Sequence, residues 1–339
     1  MISANFFIKT KEISLIENNA KERFHERPLV TYILLCYKQE QYIREAVKSA
    51  LSQDYDNIEF IISDDNSPDV SFELMKAEVE SYGKTYNVIL NENENNLGLV
   101  PHLNKLLKMA KGDIIVLAAG DDISVPNRVS STVKILENID VTFVSFNDQR
   151  IDEKGNVTSN GTRVPYEGVK LFSLDEYISG KKIPFSGASR GFRRVLYDYY
   201  GDLNQDCPTE DTPYIIRGLL TGKAAISSEI AIKYRVHGEN LSGPKYLPFM
   251  NISHISNQYL SDLDIALEKG IVDQTLSEKL KSWITTNHSR RVKSNLRTQL
   301  SIKKYTFNFF LNNILRDRHF SIKEKCILLI KCIIKKLYI

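Results

Sequence analysis

The sequence predicts an α/β protein: a doubly wound, mostly parallel sheet followed by a helical region. Three observations carry that expectation. Short apolar runs rich in β-formers alternate with segments of helical spacing as far as about residue 245. Acidic, turn-forming clusters follow several of those runs, where a parallel sheet exposes its carboxyl edge. Beyond residue 245 strands are no longer evident and amphipathic helical spacing takes over.

Taken in order, Val30–Cys36, bounded in front by Pro28, reads as a buried strand. Ile43, Ala46, Val47, Ala50 and Leu51 then fall on one face of a helix. A second strand over 58–62 runs into Asp64-Asp65-Asn66-Ser67-Pro68, a strong turn sequence. A helix over 72–82, a strand at 88–90 and a helix over 100–110 follow. Gly112 breaks the chain before a strand over 113–118 that ends in Ala119-Gly120-Asp121-Asp122, and 141–146 forms a fifth strand. Residues 252–267 and 276–284 read as amphipathic helices, and 322–339 as a last one mixing Ile, Leu and Cys with Lys325, Lys331, Lys335 and Lys336. The expected division is an N-terminal extension over 1–27, a catalytic domain over 28–245 and a helical, basic region over 246–339.

With 42% hydrophobic and 26% charged residues, the 339-residue chain can bury a full core, which excludes disorder as its main state. The net charge of +3 conceals an asymmetry. Residues 281–339 hold 14 Lys or Arg against 2 acids, whereas residues 1–280 hold 31 against 40. A basic end on an acidic body suggests an anionic partner surface. No basic face interleaved with aromatics and no helix-turn-helix pattern is evident, so nucleic acid is not the expected partner. No apolar stretch reaches the roughly 18 to 20 residues that cross a bilayer, and no secretory leader is evident. The expectation is a cytoplasmic protein, peripheral on the inner face of the membrane through an interfacial C-terminal helix. The alternative is a last helix packed on the body. Cys36, Cys207, Cys326 and Cys332 lack zinc-type spacing and imply no disulfides.

There is no G-x-x-x-x-G-K phosphate loop and no G-x-G-x-x-G after the first strand, so an ATPase or a dehydrogenase is poorly supported. Acids at strand ends suit a hydrogen bond to a base or ribose and a hard metal ion bridging phosphates.

Eight segments then follow one another in a telling order: Thr31-Tyr32-Ile33-Leu34-Leu35-Cys36-Tyr37, Leu51-Ser52-Gln53-Asp54-Tyr55, Ile61-Ile62-Ser63-Asp64-Asp65-Asn66-Ser67, Asn96-Leu97-Gly98, Ala110-Lys111-Gly112-Asp113, Gly120-Asp121-Asp122 with Pro126 and Arg128, Pro208-Thr209-Glu210-Asp211, and Tyr234-Arg235-Val236-His237 with Asn240 and Ser242. Together they resemble family 2 glycosyltransferases over residues 29–243. The resemblance implies a GT-A fold and an inverting, hexosyltransferase-type transfer from a nucleoside-diphosphate sugar, with a UDP-sugar as expected donor. The acceptor would be a hydroxyl of a glycan or glycolipid, in surface polysaccharide biosynthesis. A catalytically degenerate nucleotide-sugar-binding subunit is the alternative, because Ala119 stands where the first acid of the family's Asp-x-Asp motif often is. Lys38 likewise replaces the usual Asn after Tyr37.

Carried over position by position, the resemblance implies Leu35, Tyr37, Asp64, Asp65, Gly120, Asp121 and Arg235 around the nucleotide sugar. It implies Asp121 and His237 on one Mn²⁺ or Mg²⁺, Asp211 as base, and Glu210 orienting the acceptor or its loop. The chemistry is consistent with that. A leaving diphosphate gains negative charge that a cation stabilises, and an acceptor hydroxyl needs a carboxylate base on the opposite face. The same residues allow other uses: Asp121 and Asp122 as helix caps, Asp64 and Asp65 as turn residues, Tyr37 as strand-end packing, Glu210 and Asp211 as caps, His237 at the surface. Acceptor specificity is expected of loops such as 184–194.

Overall fold

The computed structural model describes residues 27–83, 87–161 and 163–337; the expected N-terminal extension lies, up to residue 26, outside them. The first half alternates strand and helix: β1 (Val30–Cys36), α1 (Ile43–Leu51), β2 (Ile58–Asp64), α2 (Ser71–Ser81), β3 (Asn87–Glu92), α3 (Leu99–Met109) and β4 (Ile114–Ala119). Then come β5 (Ile123–Ser124), α4 (Arg128–Leu136), β6 (Val141–Ile151), β7 (Val157–Asn160), β8 (Val169–Phe172), α5 (Leu174–Ile178), β9 (Gly191–Arg193), α6 (Val195–Tyr200), α7 (Asp211–Thr221) and β10 (Lys223–Arg235). Helices α8 (Ile252–Glu268), α9 (Gln274–Ile302), the short α10 (Phe307–Phe309) running into a π-helical turn (Phe310–Ile314), and α11 (Ile322–Leu337) complete the chain.

The strands form one sheet in the order β3-β2-β1-β4-β9-β6-β10-β5, with β7 on β6 and β8 on β10. Neighbours among β3, β2, β1 and β4 run parallel, as do β6 and β10; the three-residue β9 is inserted antiparallel between β4 and β6. The chain leaves β1 towards β2 and β3, then returns to lay β4 on the other side of β1. That reversal opens a crevice beyond the carboxyl ends of β1 and β4.

Two helical layers cover the sheet because the strands alternate their apolar side chains. Ile33, Ile61, Ile115, Leu117 and Phe143 meet α3, α6 and α7 on one face. Tyr32, Leu34, Phe60, Ile62 and Val116 meet α1, α2 and α4 on the other. Helix α8 and the first turns of α9 join the first layer through Ile255, Tyr259, Leu263, Leu280 and Ile284. A smaller core of Leu300, Phe310, Ile314, Phe320, Leu328 and Cys332 holds α10 and α11 against the end of α9.

The expected helix over 276–284 extends to Ile302. Its start is fixed by Asp273, whose side chain accepts from Leu276 N–H at 2.7 Å. Its apolar stripe thins after Ile284 to Val292 alone before Leu296 and Leu300, which hid the continuity. The expected strand over 141–146 runs on to Ile151, because β7 pairs with its second half. One face of the last helix packs on the end of α9 through Leu328 and Cys332, while its other face points outward.

Helix α8 is locked to α7 by an ion pair that is 0% exposed on both sides: Arg217 Nε and Nη2 donate to Asp262 at 3.0 and 2.8 Å. Arg217 Nη1 also donates to Gly201 O at 2.8 Å, and its guanidinium lies between the rings of Tyr200 and Tyr214. Removing one partner of such a pair strands a buried charge. Arg217→Met is therefore expected to lower unfolding stability by about 3–5 kcal/mol. Replacing Asp262 by Leu in the same chain should return part of that loss, which urea unfolding of the two variants beside the parent chain would measure.

Candidate active site

Loops after β1 and β2 are stitched together at the crevice. Asp64, the last residue of β2, is 0% exposed. It accepts Ser67 N–H and Ser67 Oγ–H, both at 2.6 Å, while Ser67 Oγ accepts Lys38 N–H at 2.8 Å. Asp64 thus shapes the turn from the interior, with both its oxygens engaged by Ser67. Lys38 and Asn66 both have positive φ, at 55° and 57°, so each loop leaves its strand through a sharp left-handed residue. Tyr37 stands 41% exposed at the end of β1, with the Lys38 ammonium 5.0 Å from its ring centroid. Leu35 is half-buried in β1, and its carbonyl accepts Gly120 N–H at 2.9 Å.

Asp65 is buried and pins the loop before α3. Its Oδ1 accepts Asn93 Nδ2–H at 2.7 Å and Leu97 N–H at 2.9 Å, and its Oδ2 accepts Gly98 N–H at 2.8 Å. Three donors leave about one of a carboxylate's four acceptor positions open.

Strand β10 completes the site from the far end of the chain. Its pairing with β5, Ile232 opposite Ser124 and Lys233 opposite Ile123, carries Arg235 and His237 beside Asp121 and Asp122. His237 Nδ1 accepts Glu239 N–H at 3.2 Å, which assigns the ring proton to Nε2; Nε2 then donates to Asp121 Oδ2 at 2.9 Å. Asn240 fixes this turn at both ends, accepting His237 N–H at 2.6 Å and donating to Arg235 O at 3.1 Å. Asp121 Oδ1 carries no hydrogen bond among the described residues. Asp122 instead faces inward and accepts Arg235 N–H at 2.9 Å; burial, and then the Asp121 charge, push its carboxyl well above the usual range.

Arg235 is buried at 1% exposure. Its guanidinium donates to the carbonyls of Asp121 (3.0 Å), Asp152 and Glu153 (both 3.2 Å) and to Glu45 Oε2 (2.5 Å), and lies over the Tyr42 ring. It holds the Asp121 backbone from behind.

Asp211 begins α7. Its Oδ1 accepts from Thr209 Oγ1 at 2.5 Å and Thr212 N–H at 2.6 Å. Its Oδ2 carries no hydrogen bond among the described residues and lies where a Cβ on Gly187 would be 2.6 Å away, so only glycine leaves room for it. Glu210 is committed to a buried ion pair with Arg190. Arg190 in turn sits on the segment that Arg128 ties to β4 through the carbonyls of Leu117, Ala188 and Arg190.

Several members of this arrangement carry no motif of their own. Tyr42 packs its ring 5.2 Å from that of His237. Gln39 points its Oε1 at Gly120, buried and without a hydrogen-bond partner. Arg190 anchors Glu210. Only proximity in space finds them. Among the described residues no group of three or more His, Cys, Asp or Glu is placed to hold a metal ion.

The model of glycosyl transferase family 2 matches residues 31–201. The chain is 28% identical over 232 residues, 67% of its own length and 85% of the relative's, to the UDP-Glc:alpha-D-GlcNAc-diphosphoundecaprenol beta-1,3-glucosyltransferase of Escherichia coli. TarS of S. aureus, residues 1–349 in complex with UDP-GlcNAc, is similar at a TM-score of 0.57 and 17% identity, covering 90% of this chain and 79% of that one. A mannosyltransferase of Pyrobaculum calidifontis in complex with GDP-Man and Mn²⁺ is similar at 0.54 and 15%, covering 99% and 97%. At these identities the two structures establish the fold alone, which is GT-A with a helical C-terminal region.

The contacts of Asp65 generate a test that needs no ligand. Asp65→Asn exchanges an acceptor for an amide that meets backbone N–H groups. Unfolding stability without nucleotide is expected to fall by about 1–3 kcal/mol. An unchanged melting curve would show that the loop does not depend on this carboxylate.

Proposed function

The chain belongs to glycosyl transferase family 2, and from that premise we propose an inverting transferase that uses a divalent cation. It moves a hexose from a nucleoside-diphosphate sugar, a UDP-sugar in the first instance, to a hydroxyl of a glycan or lipid-linked acceptor. The work is done on the cytoplasmic side, in surface polysaccharide assembly. The UDP-Glc donor and diphosphoundecaprenol acceptor in the name of the E. coli relative support that choice of substrates.

The observation that carries the reading is Asp121 at the crevice, with His237 on one oxygen and the other oxygen free. The free Asp121 oxygen would hold Mn²⁺ or Mg²⁺, which take one or two protein ligands and complete their shells with phosphate oxygens and water, and His237 would join it through Nε2 by giving up the proton that now bonds Asp121. When bound, the ion supplies positive charge to the departing diphosphate. Asn240 and Arg235 fix the turn and the backbone, so that the carboxylate and the imidazole stay in register. The exposed ring of Tyr37 offers a stacking face to the base, and the open acceptor position of Asp65 a hydrogen-bond partner. Asp211 holds its Oδ2 free to take the proton of the acceptor hydroxyl as that oxygen attacks the anomeric carbon. Glu210, held by Arg190, keeps the start of α7 in place for it.

Asp121→Ala is expected to cut turnover by about 10²-fold or more, since charge stabilisation of a leaving diphosphate is worth several kcal/mol. EDTA should abolish nucleoside diphosphate release from a panel of nucleotide sugars, and Mn²⁺ or Mg²⁺ should restore it. Full turnover in chelator would overturn the assignment.

Asp211→Asn keeps the shape and removes the proton acceptor. Donor binding, followed by thermal stabilisation, should persist while transfer falls by about 10²- to 10⁴-fold. Loss of binding and transfer together would make Asp211 a helix cap instead.

A further inference from the structure

Helix α11 buries one side and holds its isoleucines in the open, with Lys323 exposed on that same open side near its start. Leu328 and Cys332 are buried against α10 and the end of α9, at 6% and 2% exposure. Ile327, Ile330, Ile333 and Ile334 are 46%, 54%, 47% and 47% exposed, and Cys326 is exposed beside them. Taking Ile330 as centre, these residues stand at i−4, i−3, i+3 and i+4, which makes one continuous stripe on the side away from Leu328. Ile322, at the start of the helix, is 82% exposed. A helix that merely rests on a protein surface turns such a stripe inwards and leaves lysines outside. Here Lys325 and Lys331, three residues either side of Leu328, fall at the two margins of the buried face, so the isoleucine stripe lies between them on the open side.

The surrounding charge identifies what covers the stripe. Residues 281–339 hold 14 bases and 2 acids. Both acids are already engaged: Glu324 with Lys293 and Arg297 at 3.0 and 2.6 Å, Asp317 with His319 at 3.1 Å. Lys281 also pairs with Asp264 at 3.7 Å, and the segment keeps a strong cationic excess beyond these pairs. A second copy docking by a two-fold axis would set this same basic rim against itself. An apolar stripe with a cationic rim matches the boundary between acyl chains and acidic headgroups. No described helix is long and apolar enough to cross a membrane, so the helix lies along the surface.

We propose that the outward face of α11 seats the protein on an anionic lipid surface, with Ile327, Ile330, Ile333 and Ile334 at the acyl boundary and the flanking lysines among the headgroups. The inference stands on α11 and holds whichever acceptor the catalytic site takes.

The test uses the full-length chain, with no donor or acceptor, and vesicles of phosphatidylcholine with or without about 30 mol% phosphatidylglycerol. The chain is expected to sediment with the anionic vesicles at low salt, and about tenfold or more weakly with neutral ones or at high salt. Replacing Ile327, Ile330 and Ile334 together by Ser should reduce vesicle binding about tenfold or more at unchanged melting temperature, because these side chains contribute little to the packed core. Cys326 is the one exposed cysteine of the four, so an environment-sensitive fluorophore placed there reads insertion directly through a blue shift on anionic vesicles. Three results would overturn the proposal: no sedimentation with anionic vesicles at low salt, full vesicle binding by the triple serine variant, or a lipid-free dimer that the same variant dissociates.

Discussion

Arg128 is fully enclosed by the fold, and burial lowers its affinity for its proton. A guanidinium in that position is tolerable only when the chain wraps around it. Its nitrogens reach Ser124 Oγ at 2.9 Å and the carbonyls of Leu117, Ala188 and Arg190, while the Tyr32 ring lies beneath it. Those partners come from β1, β4, β5 and the segment before β9. One half of the candidate site, Asp121 and Asp122, is the turn between β4 and β5. The other half, Glu210 and Asp211, rests on Arg190 and Gly187. A single buried cation thus ties together the two halves of the candidate site.

Around that tie the acidic side chains divide into two kinds. Asp64, Asp122 and Glu210 are spent on the chain itself, in a turn, the end of β10 and the pair with Arg190, while Asp65 holds the loop before α3 and keeps one acceptor position open. Among the described residues, Asp121 and Asp211 each bind the protein through one oxygen and leave the other free. A carboxylate held by one oxygen is oriented without being used up, which is the state that ligation or proton transfer requires. The acids of one motif therefore do different work, and adjacency in sequence does not say which does what.

This explains how far the sequence could be read. Parallel strands buried on both faces appear as unbroken apolar runs, and helices appear by their stripe, so β1 to β4 with α1 to α3 were legible almost to the residue. The short strands β7, β8 and β9 have three or four residues each and too little pattern to register. The meeting of Asp121 with His237, and the place of Glu210 and Asp211 at the start of α7, could be expected because their motifs are local. The interior position of Asp64 and Arg235 could not, since it depends on partners such as Ser67 and Glu45 whose importance only the folded geometry reveals. Arg190, 20 residues from Glu210 in the chain, is of the same kind.

The small core around Leu300, Phe310, Ile314, Phe320, Leu328 and Cys332 shares no member with the two that line the sheet. Beyond the continuous helix α9, it is linked to the preceding chain by bonds such as Gln299 Nε2 to Pro248 O at 2.7 Å and Asn295 Nδ2 to Met250 O at 3.4 Å. Six buried side chains make a modest cooperative unit, and their loss leaves the sheet's own packing intact. The end of the chain can therefore open and close as a separate foldon beneath the global transition, exchanging its amide protons on its own schedule while the transferase fold stays shut.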